Sequence, residues 1–378
     1  MRLLHTSDWH IGKRFEEIDL IPQQAEFCDW LVDFVRQEQI EAVLLAGDIF
    51  DRALPKGDAI DLVDDVFNRL SDAGATIVAI SGNHDSAASL NLGSRFMSGA
   101  GLIVRTERQT LTDIGAPVTI YGKSKGDSVE VLPLPYIDPQ RVDLPDNTPR
   151  QHDAALELVL NHHKKSLADV SKTIVMSHSF VSGGLESDSE RPLTIGGTGM
   201  IPTSLFADFG YVALGHLHRP QSVGSDKIFY SGSPMAYSFS EQHPKSIRVI
   251  EIGDNFTSMT ADVGVGRRVI TLKDSLDNLL KLSEYEQHKD SFLRARLTDT
   301  SLQLGVAERL RERFPHIISV EQPALTQQGQ LTLDDIRNTA RMSPEKIVNR
   351  YIEETFDEMD EFRTKLVNDS LLATLKGD

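Results

Sequence analysis

Seven side chains of the kinds that bind divalent cations stand just past apolar runs in this chain: Asp8, His10, Asp48, Asn83, His178, His216 and His218. They belong to the stretches HTSDWHIG (5–12), GDIFD (47–51), GNHD (82–85), the single histidine after TIVMS (173–177), and GHLH (215–218). Asp8 and His10 are two positions apart, which in an extended segment aims both side chains to one side. One such carboxylate–imidazole pair can bind a metal, but alone it is more often an inconsequential surface pair. Recurrence at five run ends changes that balance. Carboxylate, amide oxygen and imidazole with no thiolate suit two divalent ions of the Mn, Fe or Zn kind rather than calcium or a structural zinc. Asp48, in the middle of the set, is the natural bridging ligand. Two ions about 3.5–4 Å apart can clamp an in-line displacement at phosphorus, activating water and neutralising phosphoryl oxygens.

Such residues need strands to carry them. LLHTS, AVLLA (42–46), TIVAI (76–80), TIVMS and YVAL (211–214) read as buried strands, with VTIYG, VEVLPLP and RVIEI (248–252) as further ones. A helix from Pro22 sets Phe27, Trp30, Leu31, Phe34 and Val35 on one face, and a second from about Asp58 carries Leu62, Val63, Val66, Phe67 and Leu70 before Gly74. A third helix is predicted near 150–166. The pattern predicts an α/β sandwich in which helices cover a sheet whose strands are buried on both faces, with ligands collecting outside the carboxyl ends of strands. Glycines 47, 82 and 215 mark backbone that has to turn where a Cβ would obstruct it.

From Arg267 the alternation restarts on a small scale. VITL, a helix at 274–286, FLRARL, a helix at 303–313 and IISVEQ predict a β-α-β-α-β cap. The expected division is a main domain at 1–265, a cap at 266–325, a linker at 326–342 and a helical segment at 343–378. The last opens on Ser343-Pro344-Glu345, an N-cap serine followed by a helix-starting proline.

Length and composition narrow the classes. The 378 residues suit two domains, and no apolar run is long enough for a membrane span. The start does not read as a signal peptide, and the lone Cys28, expected as a buried core thiol, excludes a disulfide framework; a cytoplasmic protein is expected. The net charge of −17 argues against a surface that grips nucleic acid all over, though not against a local basic groove.

The five stretches, in this order, resemble the calcineurin-like metallophosphoesterases. HTSDWHIG, GDIFD, the cap and YSGSP (230–234) further resemble the bacterial SbcD family, nuclease subunits of nuclease–ATPase complexes. The resemblance implies one manganese (or magnesium) ion on Asp8, His10, Asp48 and His218, and a second on Asp48, Asn83, His178 and His216. It implies that His84 protonates the leaving 3′ oxygen or positions the phosphate, with Asp85 orienting it. Archaeal relatives carry histidine where this chain has Asp51, so no second-histidine role carries over. Implied too are DNA repair activity on duplex ends, hairpins and single strands, a homodimer served by the 22–40 helix, and a coiled-coil ATPase partner of the SbcC type. Lys13, Arg14, Arg52, Lys56, Lys123, Lys125 and Arg219 are the basic residues expected near the ligand loops to track DNA. The apolar stripe of Val348, Tyr351, Ile352, Met359 and Phe362 is expected to dock on the ATPase. A small-molecule phosphodiesterase and a non-catalytic DNA-end-holding subunit are the alternatives. His5 is expected to be packed, His162 and His163 solvated, and GGTGM (196–200) a mobile loop near the site.

Overall fold

A computed structural model describes residues 1–190, 200–301 and 305–322. The expected linker, the stripe from Val348 to Phe362 and most of the GGTGM stretch lie outside the described residues.

Two six-stranded sheets pack face to face. In the first, Arg2–Thr6, Ala42–Leu45, Thr76–Ile80 and Leu102–Arg105 run parallel, and Ser246–Ile252 and Phe256–Asp262 extend it antiparallel. In the second, Ser128–Leu134, Thr173–His178, Tyr211–Gly215 and Ile228–Tyr230 are parallel, edged by Val118–Tyr121 and Gln221–Ser222. The period of two along each strand explains the layering. Leu3, Leu44, Val78, Ile174, Met176 and Ala213 meet between the sheets. Their neighbours Leu4, Val43 and Ile77 turn outward onto helices α1 (Ile21–Gln37) and α2 (Gly57–Asp72). On the far side, Val175, Val212 and Leu214 face the helix His152–Lys164. Burial on both faces is why these strands read as continuous apolar runs.

Helix α1 starts with Pro22 in its first turn and buries Phe27, Leu31 and Val35 of the predicted face together with Cys28 and Val32, whereas Trp30 and Phe34 of that face are only partly buried at its rim. His5 is packed between the sheets, its ring nitrogens bonded to Tyr211 Oη at 3.2 Å and the Leu214 carbonyl at 3.0 Å. His163 corrects an expectation. It is buried, with Nε2 at 2.5 Å from the Ile114 carbonyl, whereas His162 beside it is exposed. Adjacent helix positions point about 100° apart, so a His-His pair at the rim of a face splits between core and solvent.

The carboxyl-terminal unit has the expected alternation. Val269–Asp274, Phe292–Leu297 and Ile317–Glu321 form a parallel sheet around Leu272, Leu279, Leu293, Leu310 and Phe314. Its first helix is shorter than the spacing predicts. Leu276–Lys281 is α-helical, Leu282 is extended at ψ 129°, and Ser283–His288 continues as a 3₁₀ turn. Val269 and Phe292 belong to the main core, and Phe292 meets Phe15 edge-on at 5.7 Å. Phe15 sits in the hairpin directly after HTSDWHIG, so the small unit rests beside the first ligand loop.

Candidate metal centre

All the strand ends that carry the candidate ligands open on one edge of the sandwich. The loop after the first strand is laced to the loop after the second by backbone hydrogen bonds: Asp8 N to Gly47 O (3.0 Å), His10 N to Asp48 O (3.0 Å) and Ile11 N to Ile49 O (2.9 Å). The two sheets approach each other tightly here. A Cβ on Gly215 would strike the Ala46 carbonyl, one on Gly47 the His178 ring, and one on Gly82 the Asp48 carboxylate. These contacts, more than turning, explain the three glycines, although Gly47 also has φ +92°.

Asp8 and His10 converge for a different reason from the one their spacing suggests. The strand ends at Thr6, and both residues take left-handed backbone, φ 55° and 44°. Asp48 (51°) and His216 (107°) do the same. Such backbone in non-glycine residues costs on the order of 1–3 kcal/mol each and persists where the surroundings impose it, most often at functional sites.

The side chains form overlapping groups whose ligand atoms lie within 4.8 Å of one another: Asp8, His10 and His218; Asp8, Asp48 and His178; and His10, Asp48 and His84. The Nε2 atoms of His10 and His218 face each other at 3.1 Å. His178 Nε2 stands 2.9 Å from Asn83 Oδ1 and 3.4 Å from Asp48 Oδ2, while its Nδ1–H donates to the Ala46 carbonyl at 2.9 Å. That bond turns the other nitrogen toward the cluster. His216 Nε2 is buried with no hydrogen-bond partner, a costly state that a cation would relieve.

The electrostatics agree. Burial would raise Asp48, but the charge and hydrogen bond of His178 hold it well below the usual carboxylate range. Burial would lower His178, yet Asp48 lifts it to about 9. Burial pushes Asp8 up to about 6, against the pull of His178 and His218. Burial and the neighbouring His178 hold His216 well below its ordinary value, so it is neutral. Without metal, protons occupy places among carboxylates that divalent ions would fill, and metal uptake displaces them. The buried orphan nitrogen and the mixed oxygen–imidazole donors fit divalent cations.

His84 is at the mouth of the cluster. Its backbone N–H donates to Asp48 Oδ1 (2.9 Å), its Nδ1 donates to the Asp51 carbonyl (2.8 Å), and its ring is 4.6 Å from that of His10. Asp85 is not the orienting partner expected. Its carboxylate accepts backbone N–H groups of Ile49, Phe50 and Gly82 at 2.9–3.2 Å, holding two ligand loops together. The Asp51 carbonyl holds the imidazole at Nδ1.

The basic residues divide. Arg14, Arg52 and Lys56 line one cleft with Asp51 beside the site. Lys13 is half-buried and paired with Asp51 at 2.8 Å, and Arg219 is exposed next to His218. Lys123 and Lys125 are a correction. Their turn joins Val118–Tyr121 to Ser128–Leu134, and the Lys123 N–H bonds Glu41, just before the strand whose other end carries Asp48. They belong to the opposite edge of the sandwich. A hairpin's placement depends on which way its strands run in the sheet, which the local sequence does not reveal.

Gln24 was missed. Buried on α1, it donates to the carbonyls of Trp9 (3.3 Å) and His10 (2.8 Å) and accepts the Gly12 N–H (2.9 Å). A glutamine one turn before Phe27 on an apolar face was the available signal. Gln24→Ala leaves the Gly12 N–H without its acceptor and takes one donor each from the Trp9 and His10 carbonyls, which keep the Tyr237 hydroxyl and the Lys13 N–H. We expect it to lower stability by about 1–3 kcal/mol in urea unfolding and to weaken metal binding through His10. A wild-type midpoint would remove this role.

Residues 1–220 match the Calcineurin-like phosphoesterase family, and residues 265–356 match the family described as Type 5 capsule protein repressor C-terminal domain. The chain is 30% identical over 325 residues to SbcD, the nuclease subunit of SbcCD, from Staphylococcus saprophyticus, covering 85% of this chain and 84% of that one. The chain thus belongs to the calcineurin-like phosphoesterases and, within them, to the SbcD nucleases. It is a hydrolase, of a family that uses divalent metals. Among solved structures it is similar to GAP50, the anchor in the inner membrane complex of Plasmodium (14% identity, TM-score 0.43, covering 71% of this chain and 86% of that one). It is also similar to a dimetal phosphatase from Danio rerio (13%, 0.40, 70% and 96%). No helix among the described residues is long and apolar enough to cross a membrane.

Proposed function

We propose that the chain is a manganese-preferring, two-metal DNA nuclease that works in the cytoplasm with an SbcC-type coiled-coil ATPase in DNA repair. It would act as an exonuclease on duplex ends and an endonuclease on hairpins and single strands. The observation that carries this reading is the buried cluster itself, in which His10 and His218 point their Nε2 atoms together and His216 Nε2 has no partner. Asp8, His10, Asp48 and His218 would hold one ion, and Asp48, Asn83, His178 and His216 the other. When bound, the ions supply an activated water and neutralise the phosphoryl oxygens. His84, fixed through Nδ1 by the Asp51 carbonyl, would protonate the leaving 3′ oxygen through Nε2. The cleft of Arg14, Arg52 and Lys56 supports a backbone-tracking role beside the site. An acidic chain needs little more basic surface if the ATPase, docked on the stripe of Val348, Tyr351, Ile352, Met359 and Phe362, shares the grip. A homodimer completes the proposed assembly.

The test compares purified protein with manganese on a hairpin oligonucleotide and on bis-p-nitrophenyl phosphate. We expect hairpin cleavage that EDTA abolishes. Turnover of the small ester alone would replace this reading with that of a small-molecule phosphodiesterase.

A further inference from the structure

The stretch YSGSPMAYSFSEQHPK (230–245) contributes none of the seven candidate ligands, yet it closes around one of them. The His218 carbonyl accepts Ser233 N–H (3.1 Å), Lys245 Nζ (3.1 Å) and His243 Nε2 (3.3 Å). Tyr237 places its ring 5.5 Å from that of His218 and 5.4 Å from that of His10, and its hydroxyl donates to the Trp9 carbonyl. At the centre is Glu241, buried at 1% exposure. Its Oε1 lies 3.3 Å from His218 Nδ1 and accepts the Tyr237 N–H at 3.1 Å. Its Oε2 takes the Ser233 hydroxyl at 3.2 Å and is paired with the Lys245 ammonium.

A buried carboxylate with this many donors and a lysine partner is ionised, and an ionised carboxylate only accepts. His218 Nδ1 therefore carries the proton. The nearby Ser189 hydroxyl, 2.7 Å from Nδ1, directs its own proton to Glu241 Oε1 at 2.5 Å and so accepts from the ring. The lone pair of His218 is left on Nε2, the atom that faces His10. A carboxylate behind a metal-binding imidazole fixes the tautomer and ring orientation and strengthens the nitrogen as a ligand.

We propose that Glu241, held by Lys245, Ser233 and Tyr237, is a positioning residue that commits His218 Nε2 to one of the two metal ions. This rests on the two-metal reading above. Lys245 has a defined part in it: it keeps the carboxylate charged in a buried place and also ties down the His218 backbone.

The test is calorimetric titration of the full chain with Mn²⁺ alone, on wild type, Glu241→Gln, and the double variant Glu241→Gln/Lys245→Met. The double variant removes both charges together, which buried pairs tolerate better than the loss of one, so it answers the question if the single variant fails to fold. In the double variant, and in any folded single variant, we expect one binding event to weaken roughly 10–100-fold while the other stays within about twofold. Two wild-type-like events in the double variant would overturn the role of Glu241, and equal weakening of both would overturn it as a general disturbance. A wild-type chain that takes up no Mn²⁺ would instead overturn the metal reading beneath it.

Discussion

Asp48→Asn is expected to abolish nuclease activity, with a loss of at least roughly a thousandfold, the worth of several kcal/mol of metal-derived stabilisation. The substitution is nearly isosteric. An amide can still accept the His84 N–H that now bonds Asp48 Oδ1, so the loop geometry has a route to survive. What is lost is the charge, and with it a carboxylate able to bind two ions at once. Asp48 is also the residue that holds the proton on His178 in the metal-free chain, so its removal disturbs both halves of the cluster. Thermal unfolding with and without manganese separates this from misfolding. A ligand present at a hundred times its Kd adds about 2.7 kcal/mol to stability. Wild type should show that gain, and Asp48→Asn should keep a cooperative transition and show almost none. Retained activity together with a wild-type manganese shift would remove Asp48 from the bridge.

His84→Gln is expected to have the next largest effect, but of a different kind. Cleavage should fall at least roughly a hundredfold, the usual worth of a general acid, while manganese and DNA binding stay near wild type. The geometry leaves a genuine choice here, because His84 lies close enough to His10 and Asp48 to be a ligand itself. Metal titration decides it. Affinity preserved with activity lost assigns proton transfer or phosphate positioning, whereas both lost together would make His84 a ligand. Glutamine keeps a donor for the Asp51 carbonyl but cannot deliver a proton, which makes the variant informative.

The sequence determined a good deal on its own. Apolar runs of four to six residues buried on both faces announced strands, and the 3.6-residue spacing announced α1 and α2, because these patterns depend only on local geometry and on which face meets the core. The order of polar residues at the run ends put forward the seven candidate ligands as one set, since ligands of such a sheet gather where parallel strands finish, and the family resemblance added the role expected of His84. Tertiary structure alone decided how they meet. The left-handed backbone at Asp8, His10 and Asp48 goes with the lacing of two neighbouring loops, and that at His216 with its N–H bond to the Asp8 carboxylate, and no short stretch encodes these long-range contacts. The partners of His84 and Asp85, the burial of His163 and the remote position of Lys123 and Lys125 all depend on strand direction and on segments far apart in the chain. The same holds for Gln24 and Glu241: each reads as an ordinary polar residue until folding seals it against the backbone or imidazole of a candidate ligand, where the loss of water leaves its hydrogen bonds to set the site.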